Sequence, residues 1–224
     1  MSHSIKDPRE LQGIYQRRFE SHAAYRRRLW RVLIDSYFQR FVARDAVVLD
    51  LGCGYGEFIN QIECGRKLAM DLNPDSRSHL APDVELLVQD CSQPWQLPDA
   101  SLDVVFTSNF FEHLPDKLAL RNCLLEAARC LRPGGALIAL GPNIKYVPGA
   151  YWDFWDHFLC LTELSLGEVL DNNGFRVVEK HARFLPYTTV NRPEFPSAFI
   201  RLYLSCPFLW RLFGRQFLVV AKRQ

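Results

Sequence analysis

Apolar residues at Leu11, Ile14, Tyr15, Phe19, Leu29, Trp30, Leu33, Ile34, Tyr37, Phe38 and Phe41 recur at spacings of three and four among arginines, the pattern of an amphipathic helix. One or two long helices are predicted over residues 1–44, breaking at Gly13 or the polar stretch Glu20–His22. From Ala46 the period changes: AVVLDL is a short, β-branched apolar run closed by the glycine cluster GCGYG, and helical pattern is expected again from Glu57. Further runs predict strands at 67–71, 84–89, 102–108 and 136–141, with a helix over 117–131. Strands that are continuously apolar and separated by helices imply a parallel sheet covered on both faces, a doubly wound α/β architecture.

Residues 142–161 are dense in aromatics and interrupted by Pro148 and Gly149, so they read as an excursion from the sheet, a candidate lid over 143–161. Thr162 is placed to cap a helix that ends near Gly174. A strand is predicted at 176–184 and another at 216–222, with four prolines between Pro186 and Pro207 leaving only Ala198–Cys206 as a helical stretch.

At 224 residues, 48% hydrophobic and 23% charged, the chain is long and apolar enough for one full core. Seven cysteines without a C-x-x-C pair, and an opening MSHSIKDPRE without an apolar signal-peptide core, point to reduced thiols in the cytoplasm and argue against a zinc ribbon. The best apolar tail, 196–221, is broken by two prolines and three arginines and is too interrupted to span a bilayer. The net charge of +2 conceals a segregation: residues 1–44 sum to +6, 45–195 to −9, and 196–224 to +5 with no acidic residue. Either the basic ends pack as solvated helices facing the acidic middle, or they meet an anionic partner.

The turn VLDLGCGYGEF puts Gly52, Gly54 and Gly56 between a buried strand and the next element, where backbone can approach a ligand closely and amides can donate to it. No Gly-Lys-Ser/Thr follows, which excludes a phosphate loop of the Walker type. Glu57 stands where the dinucleotide fingerprint G-x-G-x-x-G needs its third glycine. With Asp50 just before the glycines, the turn favours a cationic or zwitterionic ligand over a pyrophosphate. Asp71, Asp90-Cys91 and Ser108-Asn109 close the second, third and fourth predicted strands. Carboxyl ends of strands in open α/β sheets line one crevice, and a carboxylate after the second commonly takes ribose hydroxyls.

These pieces, VLDLGCGYG, Asp71, Asp90-Cys91, LDVVFTSNFFEHL and LRPGGALIAL, resemble the class I S-adenosylmethionine-dependent methyltransferases of small-molecule type over about residues 45–142. The resemblance implies a Rossmann-like, seven-stranded sheet whose last strand is antiparallel, an N-terminal helical cap over 1–44, and S-adenosyl-L-methionine as cofactor. It implies that Asp50, Gly52, Gly54 and Gly56 face the methionine part, Asp71 the ribose with Leu72 beside it, Asp90 and Cys91 the adenine, and Asn109 the methionine end. Where the family usually turns tightly between its last two strands, this chain inserts about thirty residues, 185–215. The stretch YWDFWDHF, LTELSL and the basic tail also resemble bacterial methyltransferases of surface-polysaccharide and lipid-linked sugar pathways.

A hydroxyl acceptor wants a general base. The candidates are Glu112 and His113 after the fourth strand, and His157 among Asp153 and Asp156; each histidine also has a structural reading, as a satisfied core or segment contact. SNFF stands where enzymes methylating nucleic-acid bases carry D/N-P-P-Y/F, which argues against a nucleic-acid substrate. The paired acids and asparagine of the magnesium-dependent catechol type are missing there too, so no metal is expected. The acceptor is expected to be a small molecule, a saccharide, lipid-linked or aromatic metabolite, stacked on the lid aromatics. The competing readings are a non-catalytic cofactor-binding module and a methyltransferase acting on protein or RNA. The basic, aromatic tail is expected to touch an anionic membrane or a lipid-linked substrate, or to cover a sheet edge or a dimer partner.

Overall fold

A computed structural model describes residues 23–187 and 194–224; the predicted helix positions Leu11, Ile14, Tyr15 and Phe19 lie outside them. The β-branched apolar runs form seven strands: β1 (Val47–Leu51), β2 (Arg66–Asp71), β3 (Val84–Val88), β4 (Leu102–Ser108), β5 (Leu131–Pro142), β6 (Phe175–His181) and β7 (Gln216–Arg223). They make one sheet in the order β3-β2-β1-β4-β5-β7-β6. β1 pairs in parallel with both β2 and β4, and β7 runs antiparallel between β5 and β6. The order reverses at β1 and β4, so their carboxyl ends flank the topological switch point where ligands bind in such sheets.

Alternate residues of each strand enter opposite cores, as the pleat requires. Leu49, Leu51, Val105, Leu137 and Val219 pack against α2 (Lys117–Cys130) and α3 (Glu163–Asp171). Val48, Val104, Ile138, Leu218 and Val220 pack against α1 (Ala23–Ser36) and the pair α4 (Ser197–Leu204) and α5 (Pro207–Phe213). The helix starts follow their caps: Asp116 accepts the Ala119 amide at 2.8 Å, and Thr162 forms a capping box with Ser165. Among the described residues no helix is long and apolar enough to cross a membrane.

Three expectations need correction. No α-helix follows the glycine turn; residues 57–61 are turns with isolated helical bonds from Asn60 to Gly56 and from Ile62 to Phe58. The connection from Leu51 to Arg66 is too short to complete the glycine turn, propagate a helix and return. Its return passes Gly65 so close to Asp45 that a Cβ would stand 2.6 Å from that carbonyl oxygen. Pro207–Phe213 is a helix, not a break, because Pro207 occupies the first turn, where a missing N–H costs nothing. β6 ends at His181 rather than 184, where the chain leaves for the insertion.

The insertion is locked to the cap by aromatic packing. Phe184 is fully buried, with its ring centroid 4.5 Å from Tyr37 and 4.9 Å from Trp210, while Phe38 meets Phe106 of β4 at 5.3 Å. Phe184→Ala is therefore expected to cost roughly 3–5 kcal/mol of unfolding free energy, read as a lowered denaturant midpoint; a loss below about 1 kcal/mol would mean that the ring does not bind the insertion to the core.

Candidate active site

The carboxyl ends of β1, β2 and β4 assemble the residues named from sequence. After β1 the chain turns through Gly52, Gly54 and Gly56 with φ of +69°, +52° and +71°, a left-handed path that favours glycine. Gly52 is required twice over, because a Cβ there would lie 2.2 Å from Cγ of Phe110. The Gly52 amide donates to Met70 O at 2.8 Å, and the Gly54 amide donates to Asp71 Oδ2 at 2.9 Å. Asp71 Oδ1 accepts the Asn73 amide at 2.9 Å. Burial pushes the Asp71 carboxyl above its ordinary range, opposed by the amides of Asn73, Gly54 and Leu72 and by the His113 imidazole.

Asp50 is buried beneath this turn, where it accepts a hydrogen bond from the Ile59 amide. Desolvation, followed by the nearby Glu57 charge, raises its pKa well above the usual value. Glu57 in turn pairs with Arg26 of α1. Leu72 is exposed next to Asp71. Asp90 is exposed and accepts both the amide and the hydroxyl of Ser92 at 2.8 Å. Cys91 is buried in the core and hydrogen-bonded with the Cys123 thiol, so its backbone rather than its side chain lies toward the crevice. Asn109 ends β4 in a left-handed conformation, φ +50°, with its amide on Leu140 O at 2.9 Å. A non-glycine residue held this way is the kind of strain that collects at functional sites.

The base candidates converge. His113 Nδ1 lies 2.8 Å from Asp156 O and 3.2 Å from Asp156 Oδ2. His157 Nδ1 is 2.7 Å from Tyr151 O, and the two imidazole centroids are 4.9 Å apart. Glu112 is buried and accepts the Tyr151 hydroxyl at 2.6 Å, while its carbonyl accepts the amides of Phe158 and Leu159. It therefore binds segment 143–161 to the end of β4, and burial raises its pKa. Asp153 is exposed and takes no part in this cluster.

Among the described residues one group of side chains, His113, Asp156 and His157, brings candidate metal-ligand atoms within 4.8 Å of one another. Sequence reading expected no metal and missed this trio, because its members are separated by a whole helix and strand. Phe110 and Tyr151 were also missed as site residues; the only local signal was the run of aromatics around them.

Residues 49–139, from β1 into β5, match the family described as a methyltransferase domain. That likeness covers about two fifths of the chain. Over 88% of its length the chain superposes on 94% of a SAM-dependent methyltransferase from Archaeoglobus fulgidus, with a TM-score of 0.65 and 24% identity. A probable S-adenosylmethionine-dependent methyltransferase of Mycobacterium tuberculosis (strain ATCC 25618 / H37Rv) is 36% identical over 116 residues, 49% of this chain and 40% of the relative. The 27-O-demethylrifamycin SV methyltransferase of Amycolatopsis mediterranei (strain S699) is 34% identical over 107 residues, 42% of this chain and 37% of the relative. The chain thus spans about two fifths of the length of these curated relatives.

Burying Asp50 has a stability consequence whose sign is fixed. A carboxyl with a raised folded pKa binds more protons folded than unfolded, so its contribution to stability falls as pH rises from the unfolded value of about 3.9 up through the folded one. Asp50→Asn keeps an acceptor for the Ile59 amide and removes the charge. Its melting temperature is expected to exceed that of the parent protein by a margin that grows as pH rises from 4 towards neutrality; a margin constant with pH would show that Asp50 is not held at a raised pKa.

Proposed function

We propose that the protein transfers a methyl group from S-adenosylmethionine to a hydroxyl of a small-molecule acceptor, a saccharide, a lipid-linked molecule or an aromatic metabolite. The observation that carries this reading is the convergence, on one sheet edge, of three left-handed glycines after β1, a buried carboxylate after β2 and a left-handed asparagine after β4. The donor set fits the cofactor. Asp71 takes the Gly54 amide on Oδ2 and the Asn73 amide on Oδ1, with the Leu72 amide also donating to the carboxylate, and its roughly four lone-pair sites retain capacity for a ribose hydroxyl. Asp50, Asp71 and Glu112 place buried carboxyl groups at this edge; burial favours their neutral forms, and a bound sulfonium would favour the charged ones where a pyrophosphate would oppose them.

When bound, the sulfonium supplies an already activated methyl group. The chain's work is then to orient, to exclude water and to move one proton. Gly52, Gly54, Gly56 and Asn109 hold the methionine part, with Asp50 behind them, and Leu72, Asp90 and the Cys91 backbone border the adenine. His113 donates Nδ1–H to Asp156, which leaves Nε2 to accept the acceptor's proton. Segment 143–161 closes as a lid, and His157 orients beside His113. An oxygen acceptor on a small molecule is supported by the name of the rifamycin relative. A second reading rests on the spacing of His113, Asp156 and His157: a divalent cation there would polarise the acceptor hydroxyl in place of a base.

Incubation with methyl-labelled cofactor and fractionated cell extract tests the reading. Label in a small-molecule fraction is expected; label in protein or RNA would redirect the acceptor class, and cofactor binding without any transfer would make this a binding module. Dialysis against a chelator is expected to leave transfer intact, whereas loss restored by zinc would favour the cation. Asp71→Ala should weaken cofactor binding by roughly 2–4 kcal/mol, through two lost charge-assisted hydrogen bonds, and unchanged calorimetric affinity would remove Asp71 from the site. His113→Ala should slow transfer by about 10²–10⁴-fold at unchanged cofactor affinity.

A further inference from the structure

Among the described residues, six of the sixteen exposed large apolar side chains lie on the insertion between β6 and β7. Phe199 and Leu202 on α4 are 64% and 60% exposed, and Phe208, Leu212 and Phe213 on α5 are 65%, 51% and 58% exposed. These are not residues left over from core packing, because the inward faces of the same helices are already filled by Ile200, Leu204 and Trp210. Soluble monomers rarely leave such an apolar cluster open to water without a use for it. Arg201 and Arg211 stand exposed between the apolar residues, and residues 195–224 contain no acidic side chain.

Topology puts this surface at the functional edge. The insertion leaves the carboxyl end of β6 at His181 and re-enters at Gln216, which pairs with Pro142 at the carboxyl end of β5. Arg215 donates to Tyr146 O at 2.9 Å, and the Arg183 guanidinium covers the Tyr146 ring at 4.9 Å. The insertion is thereby joined to segment 143–161, which presents Trp155 at 91% exposure.

We propose that α4 and α5 dock on an anionic lipid bilayer, with Phe199, Leu202, Phe208 and Leu212 entering the headgroup region and Arg201 and Arg211 meeting lipid phosphates. Charge decides the occupant. A second copy of the chain, paired face to face, would bring Arg201 and Arg211 of both molecules together with no acid in 195–224 to offset them. A bilayer rich in anionic lipid supplies both the apolar layer and the opposite charge. Attachment is reversible, since each arginine near such a surface contributes only about 1 kcal/mol. The inference does not depend on the reaction proposed above.

The test is co-sedimentation of the full chain with phosphatidylcholine vesicles, with and without phosphatidylglycerol, while sedimentation velocity follows oligomeric state. The protein should pellet with the anionic vesicles alone and be released by salt. Arg201→Glu with Arg211→Glu should lower the partition coefficient roughly 30-fold or more, at about 1 kcal/mol for each charge removed. Phe208→Ser, at an exposed position, should weaken binding while leaving the melting temperature unchanged. Absence of binding to anionic vesicles at low ionic strength, equal binding to neutral ones, or a dimer that Phe208→Ser dissolves would each overturn the proposal.

Discussion

The functional edge depends on one carboxylate. Asp71 ends β2 and reaches across to the glycine turn after β1, taking the Gly54 amide on one oxygen and the Asn73 amide on the other. Those two amides would otherwise face the crevice without a partner, and the carboxylate would face burial without one. Because the bond crosses between neighbouring strands, it fixes the left-handed path of residues 52–56 relative to the start of the next connection. Gly52 then has only one available surface, and Phe110 fills it. Through Phe110 the turn sets the chain leaving β4, which carries Asn109 on one side and Glu112 and His113 on the other. The order of causes runs from a carboxylate to a turn, from the turn to a ring, and from the ring to the residues proposed for proton transfer.

A second constraint closes the site from above. Glu112 would be an isolated buried acid were it not for Tyr151, and the same residue's carbonyl receives two amides from the segment that contains Tyr151. The segment is therefore held at a point within one residue of His113, and Asp156 is delivered to that imidazole as a by-product of satisfying Glu112. Removing the carboxylate would take away the acceptor of the Tyr151 hydroxyl and one tie between the end of β4 and the segment that carries Asp156.

The sheet was legible because its strands are continuously apolar and punctuated by glycine, and the strand-end acids were legible because the topology repeats a strand-end crevice at each β–α unit. What escaped is long-range or sterically imposed. Nothing near Glu57 announces that its helix is suppressed; that follows from the few residues available before Gly65 must pass Asp45. The meeting of His113 with Asp156 joins positions 43 residues apart, and no local period encodes it. Asp90-Cys91 was expected to close the third strand, but β3 ends at Val88, and in the turn beyond it the Cys91 thiol faces inward to Cys123. Pro207 reads as a breaker until its position as the first residue of α5 is known.

The charge segregation along the chain divides in the same way between local satisfaction and outward use. At the N-terminal side Arg26, Arg28, Arg40 and Arg44 pair with Glu57, Glu194, Glu179 and Glu63, so that the surplus there answers the acidic middle of the chain. Exposed pairs of this kind contribute little stability each, and Arg27 and Arg31 stand exposed on the same helix. The C-terminal surplus has no such resolution in its own neighbourhood, since residues 195–224 hold no acid at all. Arg183 and Arg215 are used up in gripping backbone carbonyls of the insertion and of segment 143–161. Arg201 and Arg211 are left pointing to solvent among phenylalanines and leucines. Four arginines of the N-terminal side are thus answered by acidic side chains, whereas Arg201 and Arg211 face water among apolar neighbours, and it is this difference in surroundings, rather than the amount of charge, from which docking on an anionic surface is proposed.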